Sequence, residues 1–477
     1  MIPASPNLHH RVALSLLCLL ALTLTFSAVW VQELHGLATL YAALAREMAE
    51  RGDLLAPFLG ARGYLLKPPL ALWWSAANCW LFGYNTFAVT LASRLAGLGC
   101  VAMTYLLARR YYQTQTAAWF AALIFLTNGM YLQYTNTFRL ESLMTFSALA
   151  MLWGYLAINT RRGAAVLCGG ITLSLLTKGL VILAMLPVFA LHAHAVGSWR
   201  QTAPALRYWS LLLALPAAWY GYLWFLHGDQ LAVQLQQDFW RGDGNLELMP
   251  FASAWLEYVS RPAQRWAVWL PLVLAGIVAG FARAFSRATP LAERADLQLL
   301  LALLLLNYWI SWIKPEPDLR YLYSSFPLVA VLAGGLLSRW LGPVLPRWTI
   351  AASGGLWLVS VIFAVLLNLK GQANHRGLLA LQARVAAGSL TNQNSVQIVE
   401  NIYPPDAPRR SNPMPDGLYF HLGLQPPQLR LPQTSADIPA AARYVLVARS
   451  ASRTPALRAL GLHEVGRSEK FALFERP

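Results

Sequence analysis

The stretch LLKPPLALWW, residues 65–74, places one lysine and two prolines in the middle of apolar sequence. A proline disfavours the α conformation at the residue before it, so Lys67 and Pro68 are both expected to be extended. Pro69 can then stand in the first turn of the helix that follows. The stretch therefore predicts a stiff backbone that fixes one ammonium group directly before an apolar helix.

The composition shows what surrounds that lysine. Of the 477 residues, 57% are apolar and only 12% are charged, and the mean hydropathy is +0.44. Soluble domains carry about 25% charged residues, so the chain is predicted to be a polytopic membrane protein. The net charge of +16 is spread as single and paired basic residues beside apolar runs, which argues against a nucleic-acid partner.

The apolar runs predict eleven crossings of a bilayer, and we expect 11–13 transmembrane helices in all. Residues 163–197 are too long for one helix and are broken by Thr177-Lys178-Gly179, so they are assigned to two short helices. Residues 69–84 form a short run that is expected to lie on or partly in the outer interface. The remaining runs are 11–32, 86–108, 115–134, 140–158, 206–227, 265–284, 296–313, 320–338 and 347–369.

The basic residues set the predicted orientation. With the N-terminus inside, every predicted inside loop carries arginine, as the positive-inside rule requires. A full crossing at 69–84 would move Arg109-Arg110 and every later basic loop outside. Of the 21 carboxylates, only Glu293 and Asp296 fall in an inside loop. Polar chemistry is therefore expected at the outer face.

The character of the chain changes near residue 371. Residues 1–370 are predicted to form an all-α membrane domain with outer loops 33–85 and 228–264, and residues 371–477 a small α/β domain outside the membrane. The four cysteines show no metal-ligand spacing and are expected to be small core residues. The predicted strands are 396–402, 418–422, 444–447 and 471–475, with a helix at 454–461.

The first outer loop begins with a predicted amphipathic helix. Tyr41, Leu44, Ala45 and Met48 recur at helical spacing, which is typical of a helix that lies on a membrane surface. Gly52 is expected to end that helix.

Positive side chains, some with aromatic neighbours, recur in four outer turns. Cations that converge at an outer membrane face suit a phosphate or pyrophosphate on a lipid. The alternative is that Lys67 and Lys178 are interfacial anchors of helix ends. The candidate residues of these turns are Arg62, Tyr64, Lys67, Arg139, Glu141, Lys178, Lys314, Arg320, Tyr321 and Tyr323.

Glu141 is the only acid between Asp53 and Asp229. A carboxylate in such a long apolar region is costly unless it is paired or hydrated, so Glu141 is a candidate functional residue. The alternative is a local ion pair with Arg139 at the membrane edge. No phosphate-binding glycine loop or hydrolase motif occurs in a usable context, and no ligand spacing indicates a divalent metal.

Eight features now stand in order along the chain, and the set resembles a known family. A first apolar helix is followed by Y-A-x-x-A-R-E-M, G-D-x-x-x-P, K-P-P-L and F-G-x-N-x-F-A-V, and then by R-L-E-S-L-M, L-T-K-G and K-P-x-x-x-x-R-Y. This order is similar to polyprenyl-phosphate-dependent glycosyltransferases of the GT-C fold. Among them it is similar to aminoarabinose (lipid A) transferases and to the protein mannosyltransferase-like family 39/83.

The resemblance implies an enzyme of the bacterial inner membrane, with its N-terminus cytoplasmic and its C-terminus periplasmic. Such an enzyme moves a sugar from a polyprenyl phosphate, here expected to be undecaprenyl phosphate, to a lipid or glycan acceptor without a cofactor. By resemblance, the donor phosphate is bound by the basic residues, the substrate is contacted by the aromatic residues and Arg139, and Glu141 is a catalytic acid. The implied phosphate ligands are Arg62, Lys67, Lys178, Lys314 and Arg320, and the implied substrate contacts are Tyr64, Arg139, Tyr321 and Tyr323.

The chain departs from the family at one important place. An Asp-Glu pair is expected before the Y-A stretch, and this chain has Leu37-Ala38 there. Glu33 is the nearest upstream carboxylate and becomes the second candidate catalytic acid. The alternative is a relative that has lost transfer activity and binds polyprenyl lipid as a scaffold. A transporter is disfavoured, because no charged residue is expected in the middle of a span.

Overall fold

A computed structural model provides the structure of the chain. It describes residues 6–27, 34, 37–59, 62–65, 67–197, 199–239, 251–312, 319–398, 419–424, 428–429, 439–448, 459–467 and 471–476. The chain forms two compact units. Unit 1 contains residues 1–26, 64–71 and 92–361, and unit 2 contains residues 27–63, 72–91 and 362–477.

The described residues are mainly helical. The α-helices are α1 (Pro6–Phe26), α2 (Leu37–Arg51), α3 (Leu70–Phe82), α4 (Thr86–Tyr112), α5 (Gln115–Leu126), α6 (Gly129–Thr135), α7 (Leu140–Leu156), α8 (Arg161–Thr177), α9 (Met185–Ala195), α10 (Trp199–Phe239), α11 (Phe251–Trp266), α12 (Leu270–Phe285), α13 (Leu291–Trp312), α14 (Ser325–Leu341) and α15 (Trp348–Ala386). Short 3-10 turns span Leu180–Ala184, Ala267–Trp269 and Leu319–Leu322. Helix α10 is kinked at His227, whose φ is −136°.

Several helices are long and apolar enough to cross a membrane. Within the described ranges, four helical stretches meet this requirement by length and composition, and four shorter apolar helices accompany them. The four long stretches are Leu8–Phe26, Thr86–Tyr112, Val259–Phe285 and Trp348–Lys370. Helix α3 has 13 residues and is about 20 Å long, which is shorter than a bilayer core of about 30 Å.

Local sequence signals explain where several helices of unit 1 begin. The Thr114 hydroxyl accepts a hydrogen bond from the amide of Ala117 at the start of α5, and Asn128 caps α6 in the same way. Thr160 accepts from the amide of Gly163 at the start of α8. Each cap satisfies helix amides that would otherwise have no partner.

Small residues allow the helices of unit 1 to pack closely. A Cβ at Gly334 of α14 would lie 2.5 Å from the carbonyl oxygen of Ala117 in α5. A Cβ at Gly276 of α12 would lie 2.7 Å from the Cα of Ala333 in α14. Such close approach of backbones is typical of helix packing in membranes, where small residues increase the contact area.

The charge content of the spans differs from the expectation. Arg94 lies inside α4 and is fully buried, so this span does carry a charge. Its guanidinium donates hydrogen bonds to the side chain and the backbone of Asn136, at 3.0 and 3.1 Å, and to the carbonyl of Thr25. These bonds satisfy the donors of a buried arginine, so Arg94 connects α1, α4 and the end of α6.

Helix α2 of unit 2 is present as predicted, but it does not have one exposed face. Tyr41, Leu44, Ala45 and Met48 are buried as expected, and so is Glu47 on another face. The prediction of a helix lying on a surface is therefore wrong, because unit 2 also packs against its polar side. Gly52 has φ +71° and ends the helix, and its backbone N–H donates a hydrogen bond to the carbonyl of Met48.

Unit 2 also contains a small sheet. The strands β3 (Ser395–Ile398), β4 (Gln428–Leu429), β5 (Tyr444–Ala448), β6 (His463–Arg467) and β7 (Phe471–Glu475) pair in the order β4-β3-β5-β7-β6, with β3 parallel to both neighbours and the other pairs antiparallel. The chain has a second, two-stranded pairing of β1 (Phe58–Leu59) with β2 (Arg62–Gly63).

The two faces of the larger sheet are buried differently, as the alternation of strand residues requires. Leu446 and Leu473 face a core that includes Leu378 and Leu381 from the end of α15. Val445 and Phe474 belong to a separate core on the other face. The C-terminal α/β fold is thus confirmed for the described residues.

Some local predictions fail in this region. Residues 419–422 form a helical turn, so the strand predicted at 418–422 is wrong. Strand β6 was missed, and most of the helix predicted at 454–461 lies outside the described residues. All four cysteines are free thiols; three are buried as expected, whereas Cys18 is exposed on α1.

Candidate functional site

The helices α7 and α8 form an antiparallel hairpin that brings two predicted site residues together. Both helices contain 17 residues, so the start of α7 and the end of α8 lie at the same level. Glycines hold the hairpin tightly: a Cβ at Gly154 would lie 2.4 Å from the amide of Leu167, and one at Gly170 would lie 2.9 Å from the carbonyl of Ser147. Glu141 in the first turn of α7 therefore meets Lys178 at the end of α8.

Glu141 and Lys178 form a buried ion pair. The distance from Lys178 Nζ to Glu141 Oε1 is 3.1 Å, and the two side chains are 10% and 6% exposed. A carboxylate at a helix N-terminus and an ammonium at a helix C-terminus are also favoured by the two helix dipoles. The alternative of a local Glu141–Arg139 pair is not the ion pair that the structure shows.

The two oxygens of this carboxylate differ in their hydrogen bonding. We call Oε2 the open oxygen, because it has no hydrogen-bond partner among the described residues. Within the described ranges, Oε2 of Glu141 is buried and has no hydrogen-bond partner. A buried carboxylate oxygen without a donor is costly, so the position suits a donor supplied by a bound molecule.

Two further cations act on Glu141. Arg139 and Arg320 both interact electrostatically with its carboxylate, in addition to Lys178. Three cations thus face one acid, and the excess of positive charge favours an anionic ligand. We call Arg139, Glu141, Lys178, Arg320 and Tyr321 the Glu141 cluster.

Tyr321 joins two of the cations of the cluster. Lys178 Nζ and Arg320 Cζ each lie 4.9 Å from the centroid of its ring. Nη2 of Arg320 also donates a hydrogen bond of 3.1 Å to the phenol oxygen of Tyr321. Cation–π contacts of this kind fix the place of a charge without neutralising it.

The backbone after Lys178 depends on glycine. Gly179 has φ +84° and ψ −150°, a conformation that residues with a side chain rarely adopt. A Cβ at this position would also lie 3.1 Å from the phenol oxygen of Tyr220. The break predicted at Thr177-Lys178-Gly179 is therefore present, and it gives the end of α8 its shape.

Sequence reasoning missed the groups that support Arg139. The Ser93 hydroxyl donates to the carbonyl of Arg139 at 2.9 Å and accepts from its amide at 3.1 Å. Arg139 Cζ lies 5.7 Å from the ring of Tyr134, which stacks on Tyr323. Nothing in the sequence around Ser93 or Tyr134 indicates these contacts, because they join separate helices.

The remaining candidate residues have different positions. Lys67 is partly buried at the bend before α3, and Tyr64 is buried near it in the chain. Tyr323 is fully buried, and its phenol group bonds to Thr135 at 3.2 Å, so it is a packing residue of the core. Glu33, Lys314 and the side chain of Arg62 lie outside the described part of the chain. The substrate contacts expected of Tyr64 and Tyr323 remain predictions.

Among the residues that the structure describes, no three His, Cys, Asp or Glu side chains come together in a group that could hold a metal ion. A carboxylate with three cations suits an anion such as a phosphate group, together with a hydroxyl that donates to the open oxygen.

Comparison with known proteins shows which families and folds the chain resembles. Residues 11–232 match the family Dolichyl-phosphate-mannose-protein mannosyltransferase. Undecaprenyl phosphate-alpha-4-amino-4-deoxy-L-arabinose arabinosyl transferase 2 from Pseudomonas fluorescens is 28% identical over 274 residues, which are 53% of this chain and 42% of that relative. The corresponding transferase from Pectobacterium carotovorum is 27% identical over 352 residues, 65% of this chain and 61% of the relative. The chain thus spans about half the length of the curated relatives it matches.

The fold has been seen in a solved structure. The crystal structure of ArnT from Cupriavidus metallidurans bound to undecaprenyl phosphate has a TM-score of 0.67 at 16% sequence identity, over 97% of each chain. The chain therefore has the GT-C fold. Its sequence is similar to that of the aminoarabinose transferases, as the ordered motifs predicted.

Proposed function

We propose that this chain transfers a sugar from undecaprenyl phosphate to a lipid acceptor at the outer face of the bacterial inner membrane. The observation that carries the proposal is the Glu141 cluster, in which three cations face one buried carboxylate at one end of the α7–α8 hairpin. The likeness to aminoarabinosyl transferases supports an aminoarabinose-type sugar and lipid A as acceptor. In this proposal the N-terminus is cytoplasmic and the C-terminus periplasmic.

The reaction is a displacement at the anomeric carbon of the sugar. The bond from this carbon to the phosphate oxygen breaks, and its electron pair stays on the polyprenyl phosphate. A bond forms from the same carbon to the acceptor oxygen, and the acceptor hydroxyl loses its proton to a carboxylate. The protein must therefore compensate negative charge on the phosphate and accept one proton.

The described residues provide groups for both tasks. Lys178 and Arg320 compensate the charge of the leaving phosphate. Both cations contact the ring of Tyr321, which holds them near each other. Glu141 accepts the hydrogen bond of the acceptor hydroxyl through its open oxygen Oε2. Lys67, Lys314 and Arg62 are proposed as further phosphate ligands, and Glu33 as the second acid.

A second candidate function is binding of polyprenyl lipid without transfer. It is favoured by one observation: where the resemblance implies an Asp-Glu pair, this chain has Leu37-Ala38, and Ala38 is fully buried in α2. No carboxylate can act from that position.

A transfer assay distinguishes the two functions. The protein in lipid nanodiscs is mixed with undecaprenyl phosphate carrying radiolabelled aminoarabinose, with and without lipid A. We expect consumption of the donor only when lipid A is present, with the label recovered in lipid A. No acceptor-dependent consumption would overturn the proposal, and saturable binding of undecaprenyl phosphate in the same sample would then establish the second function.

A further inference from the structure

Arg46 of α2 contacts the C-terminal part of unit 2 through the helical turn 419–422. Its Nη1 donates to the carbonyl oxygens of Tyr419 and Phe420, at 3.1 and 2.8 Å. Its Nε donates to Oε1 of Glu50 at 2.7 Å, and the Arg46 side chain is only 15% exposed. One guanidinium thus uses donors in three directions, which a lysine ammonium cannot do with the same geometry.

A further hydrogen bond joins α2 to the turn 419–422. The phenol group of Tyr419 donates to Oε2 of Glu50 at 2.7 Å. The Arg46 guanidinium also lies over two rings, 4.5 Å from the centroid of Tyr84 and 5.5 Å from that of Tyr419. We call Arg46, Glu50, Tyr419 and Phe420 the Arg46 clamp.

The backbone of the turn is shaped for this contact. Gly423 follows the turn with φ +71°, and its amide donates to the carbonyl of Tyr419 at 2.9 Å. A Cβ at Gly423 would lie 2.8 Å from Nη2 of Arg46. Glycine therefore allows both the left-handed conformation and the close approach of the guanidinium.

Helix α2 is also connected to the helix after the lysine–proline stretch. The indole N–H of Trp80 in α3 donates to the carbonyl of Ala49 at 2.9 Å, and that of Trp73 donates to the carbonyl of Leu54. The chain between α2 and α3 contains Lys67. Helix α3, which follows the segment with this lysine, is thus bonded to α2 and to Leu54, three residues beyond the end of α2.

We propose that Arg46 is a positioning residue, through which the C-terminal domain holds α2 and thereby the outer loop that carries Lys67. The effect on the donor rests on the proposed function, whereas the connection between α2 and the C-terminal domain does not.

The test compares three variants of the full chain in lipid nanodiscs. Arg46→Met removes the guanidinium donors of the clamp, and Arg46→Lys keeps the charge. Arg384→Met is the matched control. Arg384 also donates to a backbone carbonyl of unit 2, that of Val465 at 3.5 Å, but this hydrogen bond does not involve α2. Hydrogen exchange of residues 37–51 and 419–424 is measured together with KM for the donor and kcat.

We expect Arg46→Met to raise the exchange rate of both segments at least about tenfold, as the loss of charge-assisted hydrogen bonds predicts. KM for the donor should rise by a similar factor while kcat stays within about twofold, since positioning acts on binding of ground state and transition state alike. A merely structural effect would lower kcat by reducing the active fraction and leave KM unchanged. Arg46→Lys should be intermediate, and Arg384→Met should resemble the wild type.

Unchanged exchange in Arg46→Met would overturn the connection, and faster exchange with unchanged KM would overturn the positioning role. If the wild type transfers no sugar, the proposed function fails. Binding of undecaprenyl phosphate then replaces KM as the readout, and equal affinity of wild type and Arg46→Met overturns the positioning role.

Discussion

The ammonium nitrogen of Lys178 lies 3.1 Å from Oε1 of Glu141, across a separation of 37 residues in the chain. Two helices of equal length place the pair at one end of their hairpin, and Tyr321 and Arg320 complete the group. The pair has two separable roles. Lys178 neutralises the buried carboxylate, and the pair offers the open oxygen of Glu141 and the ammonium of Lys178 to a ligand.

The first prediction concerns the carboxylate. Glu141→Gln keeps the shape of the side chain but removes its charge and its ability to accept a proton. We expect the rate of donor consumption to fall by about 100-fold or more, the size usual for loss of a general base. The matched control is Glu293→Gln, which removes an acid paired with Arg283 elsewhere in unit 1; it should retain the wild-type rate. Full activity of Glu141→Gln would remove Glu141 from the reaction.

The second prediction concerns the stability of the ion pair. Lys178→Met leaves the Glu141 carboxylate buried without its hydrogen-bond donor. Breaking a buried pair in this way costs about 3–5 kcal/mol, and we expect the lower end because Arg139 and Arg320 still act on the carboxylate. Unfolding in detergent measures the change. The double variant Glu141→Gln, Lys178→Met should recover most of the loss, and a double variant no more stable than Lys178→Met would contradict the pairing.

The third prediction concerns the turn after Lys178. Gly179→Ala forces a side chain into φ +84° and towards the phenol oxygen of Tyr220, and it should reduce the free energy of unfolding by about 1–3 kcal/mol. Gly169→Ala in α8 is the control, because nothing lies within 4 Å of its Cβ position; it should change stability by less than about 1 kcal/mol. Equal effects of the two substitutions would mean that the backbone at Gly179 is not restrictive.

The fourth prediction concerns the pH dependence of the Arg46 clamp. Burial and the hydrogen bond to the Glu50 carboxylate raise the pKa of the Tyr419 phenol above its ordinary value. A raised pKa means that the neutral phenol is stabilised by folding, so the contribution is complete below pH about 10 and decreases at higher pH. The difference in melting temperature between wild type and Tyr419→Phe should thus be constant from about pH 6 to 9 and shrink above about pH 10. A difference that grows above pH 10 would contradict the hydrogen bond.

Much of the helical fold could be predicted from the sequence. The apolar runs locate most helices of unit 1, and Thr177-Lys178-Gly179 correctly marks the end of α8 because glycine and a lone charge interrupt apolar periodicity. The strand at 471–475 was predicted with its observed bounds, because the short apolar run of residues 471–474 is bounded by Lys470 and Glu475.

Long-range pairing could not be predicted. Glu141 and Lys178 were each candidates, but their contact depends on the equal lengths of two helices and on the glycines between them. Residues 418–422 are a short apolar run whose periodicity does not separate strand from helix. The helical turn there exposes carbonyls that Arg46, far away in the sequence, binds.

The most direct test of the Glu141 cluster is binding of radiolabelled undecaprenyl phosphate to the protein in nanodiscs. Wild type is compared with the double variant Glu141→Gln, Lys178→Met, which removes both partners of the ion pair, and with Arg283→Met, Glu293→Gln as the control pair. The first double variant lacks the Lys178 ammonium that contacts the phosphate in this account, so it should bind at least about tenfold more weakly. The control pair should bind like wild type. Equal affinity of all three proteins would contradict a phosphate site at the cluster.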